Sequence, residues 1–226
     1  MMRGIMDALA TAAVEEIRDG MVVGLGTGRA ATRGIEALAR RASGEGLRVM
    51  CVATSRASHD LGRRLGLRVQ ETGEVGRVDY LFDGADEVDA AMRMIKGRGG
   101  AMTRERLVAR AAARKVYLVQ AAKVVGRLGS SVPLPIEVLR SGLAGTRRAL
   151  YDLGLEGPVR GGDYETDAGN PVVDVRLPAG VDLERLAMAL DRMPGVVGHG
   201  LFLTEADVVL VEDTEGRVSR RSRVPP

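Results

Sequence analysis

Four short segments concentrate the residue types that move protons and hold anions. Asp83-Gly84-Ala85-Asp86-Glu87 puts three carboxylates within five residues. Carboxylates crowded in this way raise one another's pKa, which suits proton transfer. Lys96-Gly97-Arg98-Gly99-Gly100 begins ten residues after Asp86. Its glycines let the main chain approach a ligand closely. The ammonium is a compact charge of the kind that stabilises a developing oxyanion. Thr103-Arg104-Glu105 then falls near a predicted helix start, where Glu105 would by itself favour the positive helix end. Gly24-Leu25-Gly26-Thr27-Gly28 lies between a strand pattern and a helical one. Such a turn presents backbone N–H groups, and the helix behind it adds a favourable field for a phosphate.

The same residues admit other chemistry. The acidic cluster would also suit a solvated loop or a divalent metal. Neither His59 nor His199 lies near it in sequence, so no metal is expected. Gly26-x-Gly28-x-x-Ala31 matches a loose dinucleotide fingerprint, with Arg56 placed to meet a 2′-phosphate. Nothing downstream resembles hydride-transfer chemistry, and no cofactor is expected.

The elements that must position these groups follow from the apolar pattern. Helical spacing runs over residues 6–18, from Met6 through Leu9, Ala13 and Ile17, with Gly20 as a stop. Buried-strand runs occur at Met21–Val23, Leu47–Ala53, Leu67–Val69, Val78–Phe82, Val116–Val119 and Asp207–Val211. Helical patterns over 29–42, around Leu61 and Leu65, and over 102–113 alternate with them. That alternation predicts a doubly wound, mostly parallel α/β sheet, whose ligands sit at the carboxyl ends of the strands. The glycine turn, Thr54-Ser55, Asp83–Asp86 and the segment before Lys123 all fall at such ends. After Pro133 and Pro135 the order becomes strand 136–138, helix 144–153, a strand pair around 167–170, helix 183–192 and strand 196–201. This predicts a second, smaller ferredoxin-like α+β domain. The expected boundaries are 1–130 with 204–226 for the large domain and 131–203 for the small one.

Composition narrows the class. The chain has 226 residues, 45% of them hydrophobic, which suffices for a substantial core. Its net charge is only +3, and the one basic cluster, Arg217, Arg220, Arg221 and Arg223, lacks aromatics and reads as a frayed solvated tail. No nucleic-acid partner is expected. The single cysteine excludes an intrachain disulfide, and no apolar run is long enough for a membrane span. A cytoplasmic protein with no membrane partner is the expectation. Of 33 basic residues only Lys96, Lys115 and Lys123 are lysine, so each invites a specific role.

Several motifs in series resemble one family. Gly24–Gly28, Asp83-Gly84-Ala85-Asp86-Glu87-Val88-Asp89, Met94-Ile95-Lys96-Gly97 and Thr103-Arg104-Glu105 resemble ribose-5-phosphate isomerase of type A. So do Pro133–Val138, Thr166-Asp167-Ala168-Gly169-Asn170 and Pro194–Val197. The resemblance implies a cofactor-independent aldose–ketose isomerase of the pentose phosphate pathway, acting through an enediolate on a small sugar phosphate. It implies Glu105 as general base, Asp83 in ring opening, and Asp86 and Lys96 in orienting substrate and stabilising the enediolate. Thr27 and Gly28 would hold the phosphate end. The implied substrate-binding set extends to Arg29, Ala30, Gly84, Ala85, Gly97, Arg98, Gly99 and Lys123. Family members suggest a homodimer or homotetramer.

The match departs within functional segments. Arg29 and Ala30 stand where the family has Ser-Thr, Arg98 where it has glycine, and Gln120-Ala121-Ala122 where it prefers Asp-x-Ser before lysine. Arg29 would replace the hydroxyls by bidentate phosphate contacts, or Arg29 and Arg98 would recognise a further anionic group in a paralogue. A binding-only sugar sensor is a third reading.

Overall fold

A computed structural model describes residues 7–223. In chain order the elements are α1 (Ala8–Val14), β1 (Val22–Leu25), α2 (Arg29–Glu45), β2 (Met50–Ala53), α3 (Arg56–Arg64), β3 (Arg68–Gln70) and β4 (Val78–Gly84). Then come β5 (Glu87–Val88), β6 (Met94–Ile95), α4 (Met102–Ala111), β7 (Ala112–Gln120), β8 (Leu134–Val138) and α5 (Leu143–Asp152). The chain closes with β9 (Val172–Val175), α6 (Leu183–Asp191), β10 (Val196–His199), β11 (Leu201–Phe202), β12 (Val208–Glu212) and β13 (Val218–Ser222). None of the described helices is long and apolar enough to cross a membrane.

The chain forms two compact units. The first runs to Gly84, resumes over Arg104–Lys123 and closes from Glu205; the second comprises Ala85–Thr103 and Val124–Thr204. The sequence suggested other boundaries, with residues 85–103 in the large domain. They cluster in the second unit because β5 and β6 form an antiparallel hairpin and β6 pairs with β11.

In the first unit seven strands lie in the order β13-β12-β7-β4-β1-β2-β3. All neighbours are parallel except β12 and β13. Val23, Leu25, Cys51, Ala53, Tyr80 and Phe82 of the sheet are buried in one core with Leu9, Ile35 and Leu38 of the helices and with Ile17, just beyond α1. Strands covered in this way read as near-continuous apolar runs, which is why the sequence reveals them. Asp7 caps α1 by accepting from Ala10 N at 2.9 Å, so the helix begins at Ala8; Met6 lies outside the described residues. From β1 the chain winds outward to β2 and β3 on one side, and later to β4, β7 and β12 on the other. The crevice between the carboxyl ends of β1 and β4 is therefore the topological switch point, where such sheets bind ligands.

The basic cluster near the end is not a frayed tail. Val218–Ser222 pairs antiparallel with β12 along its whole length. Val218 packs on the core, Arg220 reaches Glu16 at 2.6 Å, and Arg217 reaches Asp213 at 2.8 Å.

In the second unit β8 is flanked by β10 and β9 in an antiparallel sheet, with β10-β8-β9 as the order. Leu150 of α5 and Leu186 and Leu190 of α6 close the core over Ile136, Val138, Val173 and Val175. The strand pair expected around 167–170 is a hairpin whose first arm is short. Val159 makes an isolated bridge to Val173, supported by Arg160 N to Val172 O and Asp174 N to Pro158 O. Pro158 has no N–H to donate, which limits the arm. With that arm beyond β9, the strand arrangement is ferredoxin-like.

Candidate active site

In the first unit the glycine turn is built around one carboxylate. Gly26 N donates to Phe82 O at 2.9 Å, joining the turn to β4. Asp83 is fully buried, and its Oδ1 accepts from Thr27 N at 2.8 Å and Gly84 N at 2.7 Å. Hydrogen bonds to a buried ionised group each contribute on the order of 1.5–3 kcal/mol. Gly26 has no alternative residue here, since a Cβ would lie 2.4 Å from both Asp83 Cα and Oδ1. Gly28 precedes α2 with φ +91°, in the region that favours glycine. Arg29 opens α2 and is exposed; Ala30 is half-buried.

A cluster of hydroxyls lines the neighbouring strand end. Thr27 Oγ1 and Thr54 Oγ1 are 2.7 Å apart, Ser58 Oγ donates to Gly26 O at 2.6 Å, and Ser55 caps α3. The sequence placed Thr54 and Ser55 at this rim without giving them a task; they brace the turn.

Glu105 lies in the first turn of α4 and is only 4% exposed. Tyr117 lies opposite Asp83 in the β4–β7 register. Burial is the main cause that holds the Tyr117 phenol well above its ordinary range, and the carboxylates of Asp83, Glu205 and Glu105 push it further against Arg106. Arg106 is in turn paired with Glu205 at 2.8 Å. Lys123 ends a short turn beyond β7 and is half-buried. Lys115 is structural, with Nζ 3.1 Å from Ala112 O and 3.4 Å from Asp207. A groove of about 610 Å³ lies by Gly20, Met50 and Arg68 at the amino ends of the strands and contains none of the candidate residues.

The second unit holds Asp86, Lys96 and the glycine-rich loop. Asp86 N donates to Ile95 O at 2.8 Å, and its Oδ2 accepts from Arg98 N at 2.9 Å. Lys96 is 2% exposed, with Nζ 5.6 Å from the centre of the Phe202 ring. Gly97 and Gly100 take φ of +103° and +75°. The exposed Arg98 lines a cavity of about 330 Å³ together with Asp86, Ser131, Arg160 and Asp174.

The three crowded carboxylates therefore do not act as one group. Asp83 binds the glycine turn and Asp86 binds the Arg98 amide. Glu87, fully buried, accepts from the backbone of Gly129, Ser131 and Val132. Two later motifs also meet. Glu137 is 1% exposed inside β8 and accepts from Thr103, from Thr166 at 2.7 Å and from Asn170 at 3.0 Å. A carboxylate within the apolar run Leu134–Val138 was the available signal for this network. No sequence signal pointed to Arg160, which grips the glycine-rich loop, or to Asp174, which holds Arg160.

The family model described as ribose 5-phosphate isomerase A (phosphoriboisomerase A) matches residues 50–216. Ribose-5-phosphate isomerase A of Thermomicrobium roseum is 42% identical over 213 residues, covering 92% of this chain and 90% of that protein. Its counterpart in Rhodopseudomonas palustris is 42% identical over 217 residues, covering 92% and 93%. Among solved structures, a D-ribose-5-phosphate isomerase in complex with phospho-erythronic acid superposes with TM-score 0.90 at 31% identity, over 95% of this chain and 96% of that one. Ribose 5-phosphate isomerase A from Methanocaldococcus jannaschii gives 0.89 at 36% identity, over the same shares.

Proposed function

The chain belongs to the ribose 5-phosphate isomerase A family, and we propose that it interconverts D-ribose 5-phosphate and D-ribulose 5-phosphate through an enediolate with Glu105 as the base. In the open-chain aldose, Glu105 takes the proton from C2 and returns it to C1. The hydroxyl proton on O2 passes to O1, so atoms and charge balance. Asp83 assists ring opening by moving the anomeric hydroxyl proton to the ring oxygen. Lys96 stabilises the enediolate oxygen and Asp86 orients the sugar hydroxyls. Thr27, Gly28 and Arg29 take the phosphate, with Lys123 as a further cation. The observation that carries this reading is the burial of Glu105 in the first turn of α4, because a base shielded from water keeps the transferred proton and the enediolate from leaking to solvent.

The same reading carries a cytoplasmic homodimer or homotetramer acting in the pentose phosphate pathway, which sedimentation and cell fractionation would check. Arg29, Ala30 and Arg98 favour one second reading, a paralogue that takes another sugar phosphate.

Direct conversion of ribose 5-phosphate to ribulose 5-phosphate by the purified protein tests the proposal. Glu105→Gln should lower kcat by about 10²–10⁴-fold. It should leave binding of phospho-erythronic acid intact, since the carboxylate of that acid stands in for the planar enediolate. A folded wild-type protein without turnover would favour the paralogue. Unchanged turnover in Glu105→Gln would remove the base.

A further inference from the structure

The isomerase reading gives Arg160 no task, yet its guanidinium donates five hydrogen bonds within the second unit. Its Nε and Nη2 bind both oxygens of Asp174 at 2.8 and 2.7 Å. Nη1 donates to Arg98 O at 3.0 Å and Gly97 O at 3.2 Å, and Nη2 reaches Gly97 O at 3.3 Å. The Tyr164 ring centre lies 5.0 Å from its Cζ, and Tyr164 Oη donates to Gly99 O at 3.0 Å. Three successive carbonyls of the glycine-rich loop are therefore held by two side chains from one hairpin.

We propose that Arg160 is a positioning residue for the isomerisation, fixing the peptide plane between Gly97 and Arg98 so that its N–H meets Asp86. This rests on the isomerase reading and deepens it. The carbonyl gripped by Arg160 and the amide donated to Asp86 Oδ2 are the two ends of the same peptide group. A trans peptide points its C=O and N–H in opposite directions, so fixing one end aims the other. A cation on the oxygen also polarises the amide and strengthens its hydrogen bond. Glycines in this loop would otherwise leave it conformationally loose. Asp174 anchors the guanidinium to β9, where it sits in register with Pro135 of β8. The planar fork explains why arginine serves here: an ammonium cannot span a carboxylate and two carbonyls in one plane. A plain ion pair needs only Asp174, whereas this guanidinium divides its donors between Asp174 and the loop.

The test compares Arg160→Gln, Arg160→Lys and Tyr164→Phe by steady-state kinetics on ribose 5-phosphate, thermal unfolding and amide hydrogen exchange. Arg160→Gln should lower kcat about 10²-fold with KM within about threefold, as expected for misplacement near 1 Å. Arg160→Lys should recover part of that loss. Exchange over residues 96–102 should accelerate in both, while the rest of the second unit stays protected. Tyr164→Phe removes only the Gly99 contact and keeps the fold testable should Arg160→Gln fail to fold. It should loosen the loop and lower kcat a few-fold. Wild-type kcat in folded Arg160→Gln overturns the proposal, as does unchanged loop exchange; where that variant does not fold, the same results in Tyr164→Phe overturn it. A wild-type protein without turnover would sink the isomerase reading instead, and loop exchange would still decide whether Arg160 holds the peptide.

Discussion

The Gly24–Gly28 turn and the Lys96–Gly100 loop use glycine for different ends. In the turn, main chain packs on main chain. Gly26 lies against the backbone and carboxylate of Asp83, and the partners come from the ends of adjacent strands. In the loop, main chain packs on the tips of side chains, and those side chains belong to a hairpin more than sixty residues away. The first is set by the sheet itself and tolerates no change. The second is set by a removable clamp. Under the proposed reaction, the rigid seat would take the phosphate and the clamped loop would carry the groups aimed at the reacting carbons.

Paired substitutions turn that contrast into measurements. Gly26→Ala should be the most damaging. Its Cβ would lie 2.4 Å from Asp83 Cα, and neither strand can yield. A loss of about 3 kcal/mol or more in denaturant unfolding is expected, with turnover down about 10²-fold from displacement of Asp83. Gly100→Ala should cost less although its Cβ would lie only 1.7 Å from Tyr164 Oη. That contact is with the end of a side chain rather than with backbone, so the cost is the hydrogen bond to Gly99 O lost when Tyr164 swings away, about 1 kcal/mol, plus the positive φ, about 1–2 kcal/mol. If Gly100→Ala proves as damaging as Gly26→Ala, the distinction between seat and clamp fails.

The smallest effect concerns acid. Arg33 at the start of α2 binds Asp7 and Glu212, and its hydrogen bonds to Asp7 hold that carboxyl below its ordinary value despite burial. Glu16 is also lowered: burial would raise it, but its bonds to Arg114 and Arg220 prevail. A carboxyl depressed in the folded state contributes stability that is present above its unfolded pKa, near 4, and is lost as pH falls through the folded value. Thermal midpoints should therefore decline below about pH 4. Arg33→Gln should make that decline shallower without changing loop exchange over residues 96–102.

Much of this was legible in the sequence. Parallel strands buried on both faces must be apolar throughout, and Val208–Val211 or Tyr80–Phe82 can hardly read otherwise. The glycine turn is local, so its strand, turn and helix signals sit side by side. The helix start expected at Glu105 is also local, and the residue lies in the first turn of α4. What stayed hidden depends on long-range pairing. Asp83, Asp86 and Glu87 look like one acidic cluster, but their partners lie 56, 12 and 42–45 residues away. Arg160 is one of many arginines until Asp174 and the loop carbonyls surround it. The strand Val218–Ser222 is too polar to announce itself, because it forms by completing the hydrogen bonds of β12.

That last strand has a consequence for how the protein fails. Beneath it β12 carries Val208-Val209-Leu210-Val211, a run of the kind that templates fibrils when its edge is bare. Arg220 and Arg221 make the covering strand a poor surface for further addition, and β3, at the other edge, is three residues long and bears Arg68. Chains shortened before Val218 would therefore be limited by self-association before they are limited by loss of chemistry.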